Sequence, residues 1–189
     1  LIYKNPDVTL SGKLNNRRLV TAAFSEKTYD TGSVKLNYVV GPKNGPSLLL
    51  IPAQMGMWES YKKVLLPLSK IFQVYAIDVR GHGKSSWTPG HYSWKIIGED
   101  IKIFIENVIK QKVIISGNSS GGIIALWCAA NIPEYISGII LEDAPIFSAE
   151  MPRFKEQDKF VYNGLKHLVN QIGDIPDRDL ANYFQNMEV

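Results

Sequence analysis

A single cysteine, Cys128, leaves no partner for an internal disulfide, so the chain relies on its core for stability. It sits in an apolar stretch and reads as a small buried hydrophobe. Histidine is scarce too: His82, His91 and His167 are the three, and no His and Cys cluster has metal-ligand spacing. No metal or other cofactor is therefore expected. No apolar run reaches the length of a membrane span, and no signal-peptide pattern is found. A cytoplasmic location is the expectation, with a removed N-terminal signal left open because residue 1 is Leu. The charge excess is only +3, and the basic residues form no stripe, which argues against nucleic acid as a partner. Internal repeats and low-complexity linkers are absent as well. What remains is a chain of 189 residues, 45% of them hydrophobic. That suffices for one domain with a substantial core, burying roughly 70% of its unfolded surface.

Residues 1–20 are polar and weakly patterned, and read as an arm or short helix. Thr21 to Tyr29 and Val34 to Val40 read as strands of an antiparallel hairpin joined through Asp30-Thr31-Gly32-Ser33. In the second, Val34, Leu36, Tyr38 and Val40 alternate as on a half-buried strand. Beyond the turn Gly41–Pro46 the pattern changes. Leu48–Ile51, Val74–Ile77, Val113–Ile115 and Gly138–Leu141 are short continuous apolar runs, suited to a sheet buried on both faces. Between them lie helical patterns. One carries Tyr61, Val64, Leu65, Leu68 and Ile71, with Pro67 expected to shorten or kink it. Another, from Trp94 to Gln111, puts Ile97, Ile101, Phe104, Ile105 and Val108 on one side. Strands alternating with helices predict an α/β fold: a mostly parallel sheet with helices on both faces, preceded by the hairpin. The core is expected over 1–144. Residues 145–189 read as two or three short helices, either a lid over the strand ends or the core of a terminal helical subdomain.

Residues 117 to 121, Gly-Asn-Ser-Ser-Gly, lie between the run Val113–Ile115 and a helix rich in small residues, Gly121 to Ala130. A strand, a sharp turn with Ser119 at its apex and a helix together make a nucleophile elbow. The strained turn demands small neighbours, which Gly117 and Gly121 supply. Competing motifs fail. Gly83-Lys84-Ser85 would end a phosphate-binding loop only if position 78 were glycine, and it is Asp78. A sugar on the sequon Asn118-Ser119-Ser120 would obliterate the elbow. No dinucleotide fingerprint follows any strand. Glu99-Asp100, near the start of its helix, is explained by the helix dipole.

Three motifs, in order, resemble the α/β-hydrolase family. Ile51 to Tyr61 is similar to its His-Gly-x-x-Gly-Ser-Trp segment after the third strand, Asp78 to Ser85 to its D-x-R-G-x-G-x-S loop, and Gly117 to Gly122 to its elbow. The resemblance implies that Ser119 is the nucleophile of an acyl-enzyme mechanism. It also implies that the backbone N–H groups of Ser120 and Gln54 form the oxyanion hole. The Gln54 side chain is an alternative donor. Pro52-Ala53 replaces the His-Gly pair and stiffens that loop. Serine at the elbow separates the chain from the dehalogenases and epoxide hydrolases of the family, which use aspartate there.

The family order is Ser, acid, then His after the last strand. His82 lies in a structural loop, His91 in a turn and His167 in the lid region, so the usual triad histidine is missing from 1–189. Asp143 stands where some members carry the acid, or is a strand-end carboxylate capping the next turn. The expectation is a piece of a longer serine hydrolase, inactive by itself, with an incomplete sheet. Its substrate would be a small, rather apolar ester, thioester, lactone, amide or activated carbon–carbon compound. The alternative is a non-catalytic binding protein of the same fold. Sequence sets no oligomeric state.

Overall fold

The computed structural model describes residues 23–146. The arm expected over 1–20, and all of the lid expected over 145–189 except Pro145 and Ile146, lie outside the described residues. The elements run β1 (Ser25–Asp30), β2 (Lys35–Val40), β3 (Ser47–Ile51), a 3-10 turn (Trp58–Tyr61), α1 (Lys62–Leu68) and β4 (Gln73–Ile77). They continue with α2 (Trp94–Phe104), a π turn (Ile105–Ile109), β5 (Val113–Asn118), α3 (Ser120–Asn131), a 3-10 turn (Pro133–Tyr135) and β6 (Ile136–Glu142).

The six strands form one sheet in the order β1-β2-β4-β3-β5-β6. β1 and β2 pair antiparallel, as does β2 with β4, whereas β4, β3, β5 and β6 are mutually parallel. From β3 the chain passes to β4 on one side and then crosses to β5 on the other. The β3/β5 boundary is therefore where strand order reverses, and the crevice outside such strand ends is the natural ligand position of an open α/β sheet.

Each face of the sheet has its own core. On one, Leu36, Tyr38, Leu49, Tyr75, Ile77 and Ile115 pack against Ile97, Ile101 and Phe104 of α2 and Ile124, Ala125 and Cys128 of α3. On the other, Val39, Leu48, Leu50, Val74 and Ala76 pack against Trp58, Tyr61 and Leu65. This accounts for the continuous apolar strands: consecutive residues face two cores. It also corrects the half-buried reading of β2. Asn37 and Val39, the supposed outer residues, are buried because β2 lies inside the sheet between β1 and β4.

The helices depart from simple periodicity in two places. Leu65 is fully buried, but Val64 and Ile71 are exposed; the helix ends at Leu68, one residue past Pro67. The long pattern from Trp94 is α-helical only to Phe104. A π turn then shifts the phase, so that Ile109 is buried as well while Val108 packs against the core only partly buried, and Lys110 ends it in a left-handed conformation.

Candidate active site

Register brings the site together. Ile51, the last residue of β3, is paired with Gly117 of β5. The loop leaving β3 at Pro52 and the turn leaving β5 at Ser119 therefore emerge side by side. Gly121 permits the approach: a Cβ on it would collide with the Ile51 carbonyl oxygen. Gly117 is equally constrained, since its Cβ would strike the Gly121 backbone. These are the two positions where the sequence pattern demanded glycine.

Ser119 occupies the apex with φ 50° and ψ −114°, a region that non-glycine residues seldom adopt. Two hydrogen bonds fix it. Its N–H donates to the Glu142 carbonyl at 2.7 Å, and its own carbonyl accepts from Gly122 N at 2.9 Å. Ser119 holds the N-cap position of α3, yet its hydroxyl caps nothing. Ser93, at the start of α2, behaves in the ordinary way and accepts from Ile96 N at 3.2 Å. The contrast leaves the Ser119 hydroxyl without a hydrogen-bond partner among the described residues, at the positive end of a helix whose first N–H groups have no intrahelical partner.

Across from it the β3 loop turns tightly. Gly56 N donates to the Ala53 carbonyl at 2.9 Å, and Met55 has a positive φ of 63°. Gln54 is exposed in this turn and, with Ser120, lines a cavity of about 610 Å³. A second cavity, of about 650 Å³, lies beside Asn118 and Glu142. The elbow thus separates two cavities, with Ser120 on one and Asn118 on the other.

The β3 loop is held from below by Asp78, which is fully buried. Its carboxylate accepts from Trp58 N at 2.7 Å, Asn37 Nδ2 at 2.8 Å and Lys84 N at 3.0 Å. Glu26 adds an outer layer, accepting from Lys84 Nζ at 2.7 Å and from Asn37 Nδ2 and Trp58 Nε1 at 3.1 Å each. Burial alone would raise the Glu26 carboxyl, but the Lys84, Asn37 and Trp58 donors and the Lys84 charge hold it below the usual range.

Beneath the elbow, Ser116 Oγ donates to Glu142 Oε1 at 2.5 Å, and Tyr61 OH donates to the Ile51 carbonyl at 2.9 Å. Burial, followed by the nearby Glu142 charge, pushes the Tyr61 phenol up, so it stays a donor. Glu142 was not singled out by sequence; its role rests on contacts with residues distant along the chain. The Arg80–Asp100 pair was missed for the same reason. Asp100, expected merely to suit a helix dipole, is buried and grips Arg80 with Nε–Oδ2 at 2.7 Å and Nη2–Oδ1 at 2.8 Å.

Of the titratable residues considered for a base or acid, His82 lines the cavity of Gln54 and Ser120, but none hydrogen-bonds the Ser119 hydroxyl among the described residues. His82 Nδ1 lies 3.1 Å from the Arg80 carbonyl. His91 is exposed. His167 lies outside the described residues. Asp143 follows β6, exposed and with a φ of 50°, and its carboxylate makes no hydrogen bond among the described residues. No group of three or more His, Cys, Asp or Glu suited to a metal occurs among the described residues. None of the described helices is long and apolar enough to cross a membrane.

The family model of the alpha/beta hydrolase fold matches residues 46–189, well over half of the chain. The chain belongs to the α/β-hydrolase fold family. Epoxide hydrolase 4 of Mus musculus is 30% identical over 136 residues, covering 70% of this chain and 37% of that protein. Serine hydrolase BPHL of Homo sapiens is 29% identical over 151 residues, covering 77% of this chain and 50% of that protein. The crystal structure of a bacterial membrane phospholipase A superposes with a TM-score of 0.64 at 28% identity, covering 71% of this chain and 43% of that one. The α/β-hydrolase chain described here thus spans half or less of the length of these relatives.

Proposed function

We propose that this α/β-hydrolase chain carries the nucleophile and oxyanion hole of a serine hydrolase that cleaves an acyl bond. The observation that carries the reading is the Ser119 turn: a strained apex at a helix N-terminus whose hydroxyl is not spent on capping. In the proposed reaction the Ser119 oxygen bonds to the substrate carbonyl carbon while its proton passes to a base. The carbonyl becomes an oxyanion facing the N–H groups of Ser120 and Gln54. Collapse expels the leaving group, which takes the proton, and water then releases the acid. Those donors are useful because they are fixed before charge develops. Loss of one such donor costs on the order of 100- to 1000-fold in rate.

The base is assigned to a histidine outside the described residues, because His82 is turned to the Arg80 carbonyl and His91 is a surface turn residue. Asp143, at the end of β6 on the same edge of the sheet as Ser119, is the acid among the described residues. Glu142 is committed to Ser116 instead. Residues 145–189 are assigned to a lid. Serine, rather than aspartate, at the apex favours acyl transfer over epoxide opening, although a named epoxide hydrolase is among the relatives.

A fluorophosphonate probe tests this on the full-length protein. Ser119 is expected to be labelled, Ser119→Ala to abolish labelling, and Asp143→Asn to slow it. A folded protein that resists the probe would leave the second reading, a binding protein of this fold. That reading draws on the absence, among the described residues, of any histidine contact to Ser119.

A further inference from the structure

Three aromatic residues, Trp87, Tyr92 and Trp94, fall within a stretch of eight that closes the β4–α2 link and opens α2. Their exposures are 74%, 46% and 42%. Solvent-facing aromatics this concentrated require an explanation, since large apolar side chains clustered at a surface mark a recognition site. All three line the 610 Å³ cavity that also contains Gln54 and Ser120. Among the described residues no Asp, Glu, Lys or Arg lines it, and His82 is the one imidazole.

The wall is built rather than loose. Arg80, anchored by buried Asp100, donates from Nη1 to Thr88 Oγ1 at 3.2 Å. Thr88 N donates to Tyr92 OH at 2.8 Å, and the Thr88 carbonyl accepts from His91 N at 3.0 Å. Gly81 N donates to the Ser86 carbonyl at 3.0 Å. Polar groups therefore fix the loop from behind while its aromatic faces stay open, and a ligand need not order it.

We propose that this loop forms an uncharged aromatic subsite beside the oxyanion hole, and that the substrate is a neutral ester bearing an aryl group seated against Trp87. The inference rests on the acyl-transfer reading and narrows it. An aryl ring gains both apolar burial and stacking there. A carboxylate or phosphate in the same place would lose hydration with no Lys or Arg among the described lining residues to meet it. The ring can enter on the acyl or the alcohol side of the scissile bond; the chemistry recognised is the same.

The full-length protein is assayed with methyl 4-phenylbutyrate, 4-phenylbutyl acetate and the ring-carboxylated derivative of each. One neutral ester is expected to exceed its carboxylated derivative by about tenfold or more in kcat/KM, and which one identifies the side that enters. Trp87→Ala is expected to raise KM for that ester by about tenfold, and Trp87→Phe to restore most of it. Equal or better turnover of the carboxylated esters, or an unchanged KM in Trp87→Ala, overturns the subsite. A readout independent of turnover is calorimetric binding of the neutral esters to Ser119→Ala protein. Binding weakened by the further change Trp87→Ala supports the subsite even if the fluorophosphonate probe has ruled out the nucleophile. No binding overturns it, including the case in which another segment of the chain fills the cavity.

Discussion

Asp100 and Arg80 form a buried, two-pronged ion pair, and such pairs punish the loss of one member more than they reward the presence of both. Asp100→Ala leaves a guanidinium buried without its counter-charge, a change expected to cost about 3–5 kcal/mol in urea unfolding. The same substitution frees the loop that Arg80 holds through Thr88, so loss of aryl-ester affinity should accompany loss of stability. Glu26 makes a gentler, pH-dependent contribution. Its carboxyl is held below its ordinary value in the folded protein, so its stabilisation is complete above the unfolded value of about 4.3 and is lost as pH falls through the folded one. Because the side chain is 36% exposed, the effect is small and screened by salt. The Tm difference between the native protein and Glu26→Gln should shrink on acidification below pH ~4. A difference that stayed constant would show that the hydrogen bonds, and not the charge, matter. Neither arrangement was legible in sequence, because each joins residues far apart with no shared period. Ser119 was legible, since its glycine neighbours and flanking strand and helix are all local.

The elements illustrate where periodicity succeeds and where packing takes over. The parallel strands were recognisable because burial on both faces needs unbroken apolar runs. β2 was misjudged because alternation of residue type was taken for alternation of exposure. Asn37 sits inside because Asp78 and Glu26 accept its hydrogen bonds, which removes the penalty of burying an amide. The buried side of the helix from Trp94 was read correctly through Ile105, but the burial of Ile109 follows from a π turn that a 3.6-residue period cannot anticipate. Phe104 is the pivot of that helix. It is fully buried, with ring centroids 4.8 Å from Tyr38, 6.2 Å from Tyr75 and 6.5 Å from Tyr29. Phe104→Ala removes these edge-on contacts and leaves a cavity under α2. A destabilisation of about 3–5 kcal/mol is expected by chemical denaturation. A loss under 1 kcal/mol would mean the aromatic cluster collapses to fill the gap.

At the scale of the molecule, topology explains why the candidate site lies where it does. Strand order reverses between β3 and β5, and both candidate oxyanion donors and the apex serine leave the sheet at that boundary. The three motifs made the fold readable from sequence, whereas the two cavities flanking the elbow depend on loop paths that no motif encodes. Holding Ser119 at positive φ costs the fold stability that glycine would recover. Ser119→Gly is expected to raise stability by about 1 kcal/mol while eliminating fluorophosphonate labelling. Lower stability instead would mean that the serine side chain contributes more than its backbone costs.

The hydrogen bond from Ser119 N to the Glu142 carbonyl has a consequence for the order of events during synthesis. Gly117 and Gly121 let the turn bend, but its apex amide finds its partner only in a strand that the ribosome has yet to deliver. A nascent chain ending before β6 would carry a complete motif with an unsecured apex. The Ser119 turn is thus timed by its sheet: its apex is set in place only once the strand beyond its own helix has docked.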